Sequence, residues 1–142
     1  DTFNPVLSNT LQRIVIQECP VTNIEGLVIP NSVIDIDFRN MLITEFPDNF
    51  ILPDNFKKIL LESNELNTIN INFSNVTQLE YLSITNNKIS NWSLSEILCN
   101  TINTIVSNPP NIGVINTYGN ITSSEGTNFK SILQGKGWIV NS

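Results

Sequence analysis

The sequence contains no histidine and only two cysteines, Cys19 and Cys99. Histidine is the commonest general base and metal ligand and belongs to the usual catalytic triads, so its absence argues against an enzyme or a metalloprotein. Two cysteines are too few for a disulfide framework or a zinc cluster. We therefore predict that both thiols are reduced and buried, and that the chain is not an enzyme and binds no metal ion or other cofactor.

Basic residues are also scarce, since 7 Lys and Arg stand against 13 Asp and Glu and the net charge is −6. This balance argues against nucleic acid and against an anionic membrane surface as partners. No apolar run approaches the roughly 20 residues of a membrane span, so we expect no membrane insertion. The chain shows no signal peptide and starts at Asp1 rather than Met, which favours a processed chain or an excised domain.

The sequence does contain an internal repeat, which is clearest in 79–92, LEYLSITNNKISNW. Its pattern is L-x-x-L-x-L-x-x-N-x-L-x-x-L, and the first position recurs at Leu11, Val33, Phe56 and Leu79. Alternate residues of the L-x-L segment point to the same side, so each repeat predicts a short strand. Because each repeat can bury its apolar positions only against its neighbours, we predict a solenoid with parallel strands about 4.8 Å apart.

The ninth position of the repeat is polar although it lies where the chain turns into the core. An asparagine there can satisfy buried N–H and C=O groups of the backbone, and Asn64 and Asn87 fit that task. Cys19 occupies the position in the first repeat and Met41 in the second. Because the Met41 side chain cannot make these hydrogen bonds, we predict that the row of asparagines is interrupted there.

The pattern changes after Trp92. Pro109 and Pro110 suit a buried strand badly, so we predict one long repeat that contains a helix from about Ser95 to Val106. Its strand would bury Ile112, Ile115 and Thr117 and would place Asn120 at the ninth position. A second helix is predicted at about Thr127 to Gln134, with Phe129, Ile132 and Leu133 on its inner face, followed by a closing strand at Trp138, Ile139 and Val140.

This reading gives a single domain, 1–142. It divides into an N-terminal cap (1–10), four repeats of 22–23 residues (11–92), a long helix-containing repeat (93–120) and a C-terminal cap (121–142).

The four repeats resemble the leucine-rich repeat family. The resemblance implies an α/β fold, a right-handed superhelix with a parallel strand face and a helical C-terminal cap, and Cys19 is a common substitute for asparagine in that family. The ending, a Gly-Asn turn, a helix and KGWIV, is similar to the close of leucine-rich-repeat domains in bacterial surface proteins and phage structural proteins. Members of the family are mainly binding modules and seldom catalysts.

The strand face, formed by the third, fifth, seventh and eighth positions, contains the candidate binding residues. In register, Arg13, Asp35 and Lys58 alternate in sign, and Arg39 would pair with Glu62, each exposed pair contributing about 0.2–1 kcal/mol. These charges form either a self-neutralised charge ladder or a polar rim for a partner. Asp37 points to the same side as Asp35, so the two carboxylates could bind Ca²⁺ or act as acid and base, although neighbouring cations compete with that use.

Apolar and aromatic residues on the same face are either contact hot spots or scattered surface residues. They are Val15, Leu60, Tyr81 and Tyr118. Five strands give a face on the order of 500 Å², whereas a standard interface takes about 800 Å² from each partner. The strand face alone would therefore bind weakly unless loops contribute or several copies act together.

The sequence therefore predicts a protein-interaction or adhesion module that binds a protein or glycan. Its expected location is extracellular, on a bacterial cell surface or a virion. The alternative is a structural subunit packed within a larger assembly such as a virion. The predicted binding residues are Arg13, Asp35, Asp37, Arg39, Lys58, Leu60, Glu62, Tyr81 and Tyr118.

Overall fold

The computed structural model of the protein describes residues 5–89, 104–120 and 126–142. Within these ranges, six strands form one parallel sheet in which each strand pairs with the next along the chain. The strands are β1 (Arg13–Val15), β2 (Asp35–Asp37), β3 (Lys58–Leu60), β4 (Tyr81–Ser83), β5 (Val114–Asn116) and β6 (Ile139–Asn141). The chain is thus a parallel β-solenoid of about five turns, as the repeat predicts.

The register of the sheet follows the repeat numbering. The third positions pair directly, since Arg13 is opposite Asp35 and Asp35 is opposite Lys58. The long repeat keeps this register, because Tyr81 pairs with Val114 and Val114 with Ile139. Every strand therefore turns the same repeat positions toward the same side of the sheet.

The core is a stack of apolar side chains, one set from each turn. The central residue of every strand is buried, with at most 6% of its surface exposed: Ile14, Ile36, Ile59, Leu82, Ile115 and Val140. Each such side chain stabilises the fold by roughly 1.5–3 kcal/mol relative to an exposed one. Four phenylalanines are also buried, each with at most 1% of its surface exposed: Phe38, Phe46, Phe56 and Phe73.

The first turn is less well covered than the others. Leu11, Ile16 and Val21 are only partly buried, although they occupy the same repeat positions as fully buried residues of later turns. Cys19 is a free, exposed cysteine, so the prediction that it is buried is wrong. The physical reason is that the described residues before the first repeat cover this turn incompletely, since Leu7 packs against the core but Val6 is fully exposed. Cys99 lies outside the described residues.

The ninth positions form an asparagine ladder, which consists of Asn64, Asn87 and Asn120. Asn64 Nδ2 donates to the carbonyl oxygens of Phe38 and Leu61 at 2.7 and 3.1 Å. Its Oδ1 accepts a hydrogen bond from the backbone N–H of Ile43 at 3.2 Å. In the second repeat the buried thioether of Met41 takes this place, so the ladder is interrupted there as predicted.

A feature that the sequence did not predict is a left-handed backbone conformation at the eighth position of five repeats. The residues concerned are Glu18, Asn40, Ser63, Asn86 and Gly119, with φ between 53° and 71°. This conformation costs an ordinary L-residue roughly 1–2 kcal/mol, whereas glycine adopts it readily and asparagine more easily than most. The turn after each strand therefore requires a left-handed residue, and the backbone is strained where that residue is Glu18 or Ser63.

Gly119→Ala is expected to destabilise the protein by about 1–3 kcal/mol. The new Cβ would be strained at φ +71° and would overlap the side chain of Asn86. Chemical denaturation would measure the effect. Gly135→Ala is the matched control, because nothing lies within 4 Å of a Cβ added there. Equal effects of the two substitutions would contradict the proposed strain.

The C-terminal part agrees with the prediction in its strands to within one residue, but not in all its side chains. Ile112, predicted to be buried, is 76% exposed. The reason is that Pro109 and Trp138 already fill the space beside Gly113, directly next to it in sequence. Trp138 is buried and its indole N–H donates to the carbonyl oxygen of Val106 at 2.8 Å.

Helix α1 (Gly126–Gly135) matches the second predicted helix in position. Leu133 is buried as predicted, but Ile132 is 41% exposed and does not belong to the inner face. The first predicted helix, from about Ser95 to Val106, lies almost entirely outside the described residues. Within the described ranges, no helix is long and apolar enough to cross a membrane.

Candidate functional site

The nine predicted binding residues all lie on the strand face. Six belong to the strands themselves: Arg13, Asp35, Asp37, Lys58, Leu60 and Tyr81. The other three lie two residues beyond the last residue of a strand: Arg39 after β2, Glu62 after β3 and Tyr118 after β5. Because the strands are parallel and in register, the side chains of neighbouring turns meet in rows across the sheet.

The carboxylate of Asp37 is the centre of a polar cluster. Its side chain is 0% exposed. Arg39 binds it with two hydrogen bonds of 2.8 Å, from Nε to Oδ1 and from Nη2 to Oδ2. Gln17 Nε2 donates to Oδ2 at 2.5 Å, and Arg13 Nη2 lies 3.5 Å from the same oxygen. The prediction that Asp37 is exposed for a partner is therefore wrong, because three side chains from two turns cover it.

Burial alone would raise the pKa of Asp37, and this is the largest single influence on it. The hydrogen bonds from Arg39 and Gln17, together with the charge of Arg39, outweigh burial and bring the pKa below its ordinary value of 3.8. The same carboxylate raises the pKa of Arg39. Asp37 is therefore ionised at neutral pH with its oxygens in use, which makes it a poor general base and a poor calcium ligand.

Asp35 differs from Asp37 in its surroundings. Arg13 Nε lies 3.3 Å from Asp35 Oδ2, so the predicted ion pair is present and both carboxylates turn to the same side. Asp35 Oδ1 is buried and has no hydrogen-bond partner among the described residues. Arg39 Nε lies 3.9 Å from Glu62 Oε2, a loose form of the other predicted pair. The charges of the first three turns therefore largely neutralise one another.

Leu60 is the second predicted binding residue that proves to be buried. Only 6% of its surface is exposed, so the prediction that it is exposed is also wrong. Ser83, at the same fifth position of the next turn, is 1% exposed. The fifth position lies between the third and seventh positions, whose longer side chains close over it, as Arg13 and Arg39 close over Asp37. At the edge of the sheet this cover is incomplete, and Val15 is 51% exposed.

Lys58 lies opposite Asp35 in the sheet, as the predicted alternation of charges requires, but its ammonium group also contacts the next turn. Its ammonium lies 5.4 Å from the centroid of the Tyr81 ring, a cation–π contact. The hydroxyl oxygen of Tyr81 accepts a hydrogen bond from Asn116 Nδ2 at 2.6 Å, and Asn116 Oδ1 accepts one from Asn141 Nδ2 at 2.8 Å. A row of hydrogen bonds thus runs across β4, β5 and β6 and fixes the position of the half-buried Tyr81.

Tyr118 and Ile139 are the most exposed large side chains at this end of the face, at 52% and 49%. Gln17, Asn116 and Asn141 belong to the face but were not among the predicted binding residues. Gln17 occupies the seventh position of the first repeat and Asn116 the fifth position of the long repeat, so the register rule alone places both on the face. Asn141 had no such signal, because its strand was placed one residue too early.

A groove of about 770 Å³ lies on the first three turns, away from the strand face, and is lined in part by Glu25, Glu45 and Asp48. These carboxylates are exposed. Among the described residues, no three metal-ligating side chains come together in a way that could hold an ion. The groove therefore offers a polar surface without the arrangement of a metal centre.

The comparisons with known proteins give no relative of this chain. No family model matches its sequence. No curated protein and no solved structure is significantly similar to it. The basis for a functional assignment is therefore the strand face, with its paired charges in the first three turns and its row of tyrosine and asparagine side chains in the last three.

Proposed function

We propose that the chain is a non-enzymatic recognition module of the leucine-rich repeat type, whose strand face binds a protein or glycan on a bacterial surface or a phage particle. The repeat pattern, the parallel in-register strands and the asparagine ladder support this family. A right-handed superhelix and a C-terminal cap formed by α1 and β6 are part of the same proposal.

The observation that carries this proposal is the order of the strand face before any partner binds. Hydrogen bonds join Asp37 to Arg39 and Gln17, and others join Tyr81 to Asn116. Ordering side chains on binding costs about 0.5–1.5 kcal/mol for each flexible one. A face whose side chains are already held avoids much of that cost, which favours recognition by a rigid surface.

The same contacts weigh against catalysis. Asp37, the buried carboxylate of the face, is held by Arg39 in a bidentate pair and its pKa is lowered. A general base works best with a pKa near the working pH, and Asp37 is shifted away from that value. Because the whole face covers on the order of 500 Å², less than the roughly 800 Å² of a standard interface side, we expect several copies to act together.

A structural subunit of a larger assembly is the second candidate. It is favoured by apolar side chains exposed outside the strand face, notably Val28 at 75% and Ile51 at 71%. Both lie five residues before the first position of the next repeat, so they occupy equivalent places on neighbouring turns. Such a pair suits packing against a neighbouring subunit.

The two candidates predict opposite effects of two substitutions. We expect the purified chain to be monomeric in size-exclusion chromatography and to be retained on its source cells or particles. Tyr118→Ala should reduce that retention about tenfold, as loss of an exposed aromatic contact does. Val28→Ser, an exposed substitution outside the strand face, should leave it unchanged. Self-assembly abolished by Val28→Ser and unaffected by Tyr118→Ala would contradict recognition and support the structural role.

A further inference from the structure

Charge is distributed unevenly along the strand face. We call the third, fifth and seventh positions of the turns of β1, β2 and β3 the charged half, because six of these nine residues are charged: Arg13, Asp35, Asp37, Arg39, Lys58 and Glu62. The corresponding residues of the turns of β4, β5 and β6 are the neutral half: Tyr81, Ser83, Thr85, Val114, Asn116, Tyr118, Ile139 and Asn141. The boundary between the halves is the contact of Lys58 with the Tyr81 ring.

The neutral half presents hydrogen-bonding groups in a fixed direction. Asn141 donates to Asn116, and Asn116 donates to the hydroxyl oxygen of Tyr81. The hydroxyl hydrogen of Tyr81 is therefore left to donate to another group, and each amide nitrogen carries a second hydrogen. A ligand with hydroxyl groups, which both donate and accept, matches this set of fixed donors and acceptors.

Next to this polar row lie exposed apolar surfaces. Tyr118 is 52% exposed and follows Asn116 by two residues on the same side of the sheet, while Ile139 is 49% exposed. An aromatic ring combines a flat apolar face with a polar edge. Sugars have the complementary build, because their rings carry C–H groups on their faces and hydroxyl groups around their edges.

The area of the neutral half and its lack of charge favour a carbohydrate over a protein or a charged ligand. Three strands about 4.8 Å apart and five residues of about 3.3 Å each give the neutral half an area on the order of 230 Å². A protein partner usually needs about 800 Å². A charged ligand would lose hydration without an opposite charge in the neutral half to offset the loss. A short, uncharged oligosaccharide fits both the area and the absence of charge.

We propose that the neutral half of the strand face is a subsite for a short neutral oligosaccharide, with Tyr118 as the stacking platform and Tyr81, Asn116 and Asn141 as hydrogen-bonding groups. This inference rests on the proposed recognition function and narrows its partner class. The charged half serves as the ordered support of the subsite, since its charged side chains other than Lys58 are paired with one another.

The test uses the full chain, biotinylated and displayed on streptavidin, on an array of immobilised neutral, sialylated and sulfated oligosaccharides. We expect binding to a subset of neutral members, and about tenfold weaker binding by Tyr118→Ala and by Asn116→Ala. Val15→Ala is the matched control, since Val15 is 51% exposed on the same face but belongs to the charged half. It should bind within about twofold of the unmodified chain, well under a hot-spot effect.

Three results would overturn the inference: no binding to any neutral member, a preference for sialylated or sulfated members, or binding that Tyr118→Ala leaves unchanged. Circular dichroism of each variant would show whether the fold is intact. If the array result is negative while retention on source cells still depends on Tyr118, the recognition function stands and only the carbohydrate partner is wrong. If both are negative, the recognition function fails as well.

Discussion

Asn64→Ala is expected to lower the free energy of unfolding by about 3 kcal/mol, because it leaves two buried backbone groups unpaired at roughly 1–3 kcal/mol each. Those groups are the carbonyl oxygen of Phe38 and the N–H of Ile43, and within the described part of the chain each is bonded only by Asn64. The Leu61 carbonyl oxygen keeps its second hydrogen bond, from Asn87. Urea denaturation followed by circular dichroism would give the change.

Asn87→Ala is the matched control, since it removes the same side chain one turn later. The carbonyl oxygens of Leu61, Ile84 and Thr85 each keep another hydrogen-bond donor when Asn87 is removed. Only the N–H of Leu66 is left unpaired. The expected loss is therefore about half as large, about 1.5 kcal/mol. An equal or larger effect of Asn87→Ala would contradict the expectation that a carbonyl oxygen with two hydrogen-bond donors tolerates the loss of one of them.

Arg39→Met is expected to destabilise the protein by about 2–3 kcal/mol at neutral pH. The substitution removes both short side-chain hydrogen bonds to Asp37 and leaves a buried carboxylate with Arg13, Gln17 and the backbone N–H of residue 39 beside it. Lys88→Met is the control, because it breaks an ion pair with Glu65 in which both side chains are well exposed. Its effect on the free energy of unfolding should stay within about 0.5 kcal/mol. Similar destabilisation by the two substitutions would show that the Arg39–Asp37 pair contributes no more than an exposed ion pair.

The pH dependence of stability provides a second measurement on the same cluster. The pKa of Asp37 is lower in the folded chain than its ordinary value of 3.8, so the folded state binds fewer protons than the unfolded state as the pH falls through this range. The contribution of Asp37 is therefore present above about pH 4 and is lost as the pH falls through the folded pKa. Asp37→Asn should flatten the acid limb of the stability curve, and an unchanged limb would contradict this origin.

The repeat spacing predicts the strands of the four repeats and their register. A two-residue period within each L-x-L segment and a fixed distance between repeats leave one way to bury all the apolar positions, and Ile14, Ile36 and Ile59 are buried as that rule requires. The left-handed eighth position was not predicted, because the residues there give a mixed signal: Asn40, Asn86 and Gly119 favour this conformation, whereas Glu18 and Ser63 do not. Here the geometry of the solenoid overrides the local preference of the residue.

The site was less predictable than the fold because burial on the strand face depends on several turns at once. Alternation correctly assigned Asp37 and Leu60 to that face but could not show that neighbouring side chains would cover them. Likewise, Cys19 is exposed because of its place at the end of the stack and not because of its sequence context. Tyr118, at the seventh position, stays exposed, whereas the longer side chains on either side cover Asp37 and Leu60 at the fifth.

The asparagine ladder also determines which turns of the solenoid unfold locally most easily. The carbonyl oxygen of Leu61 accepts from two successive asparagines, and so does that of Ile84, so adjacent later turns share hydrogen bonds and open together. The first two repeats carry Cys19 and Met41 instead and have no such shared bonds at the ninth position. Amide hydrogen exchange and proteolytic cleavage should therefore begin earlier in the first two turns than around β3, β4 and β5, whose turns are joined by the shared hydrogen bonds of the ladder.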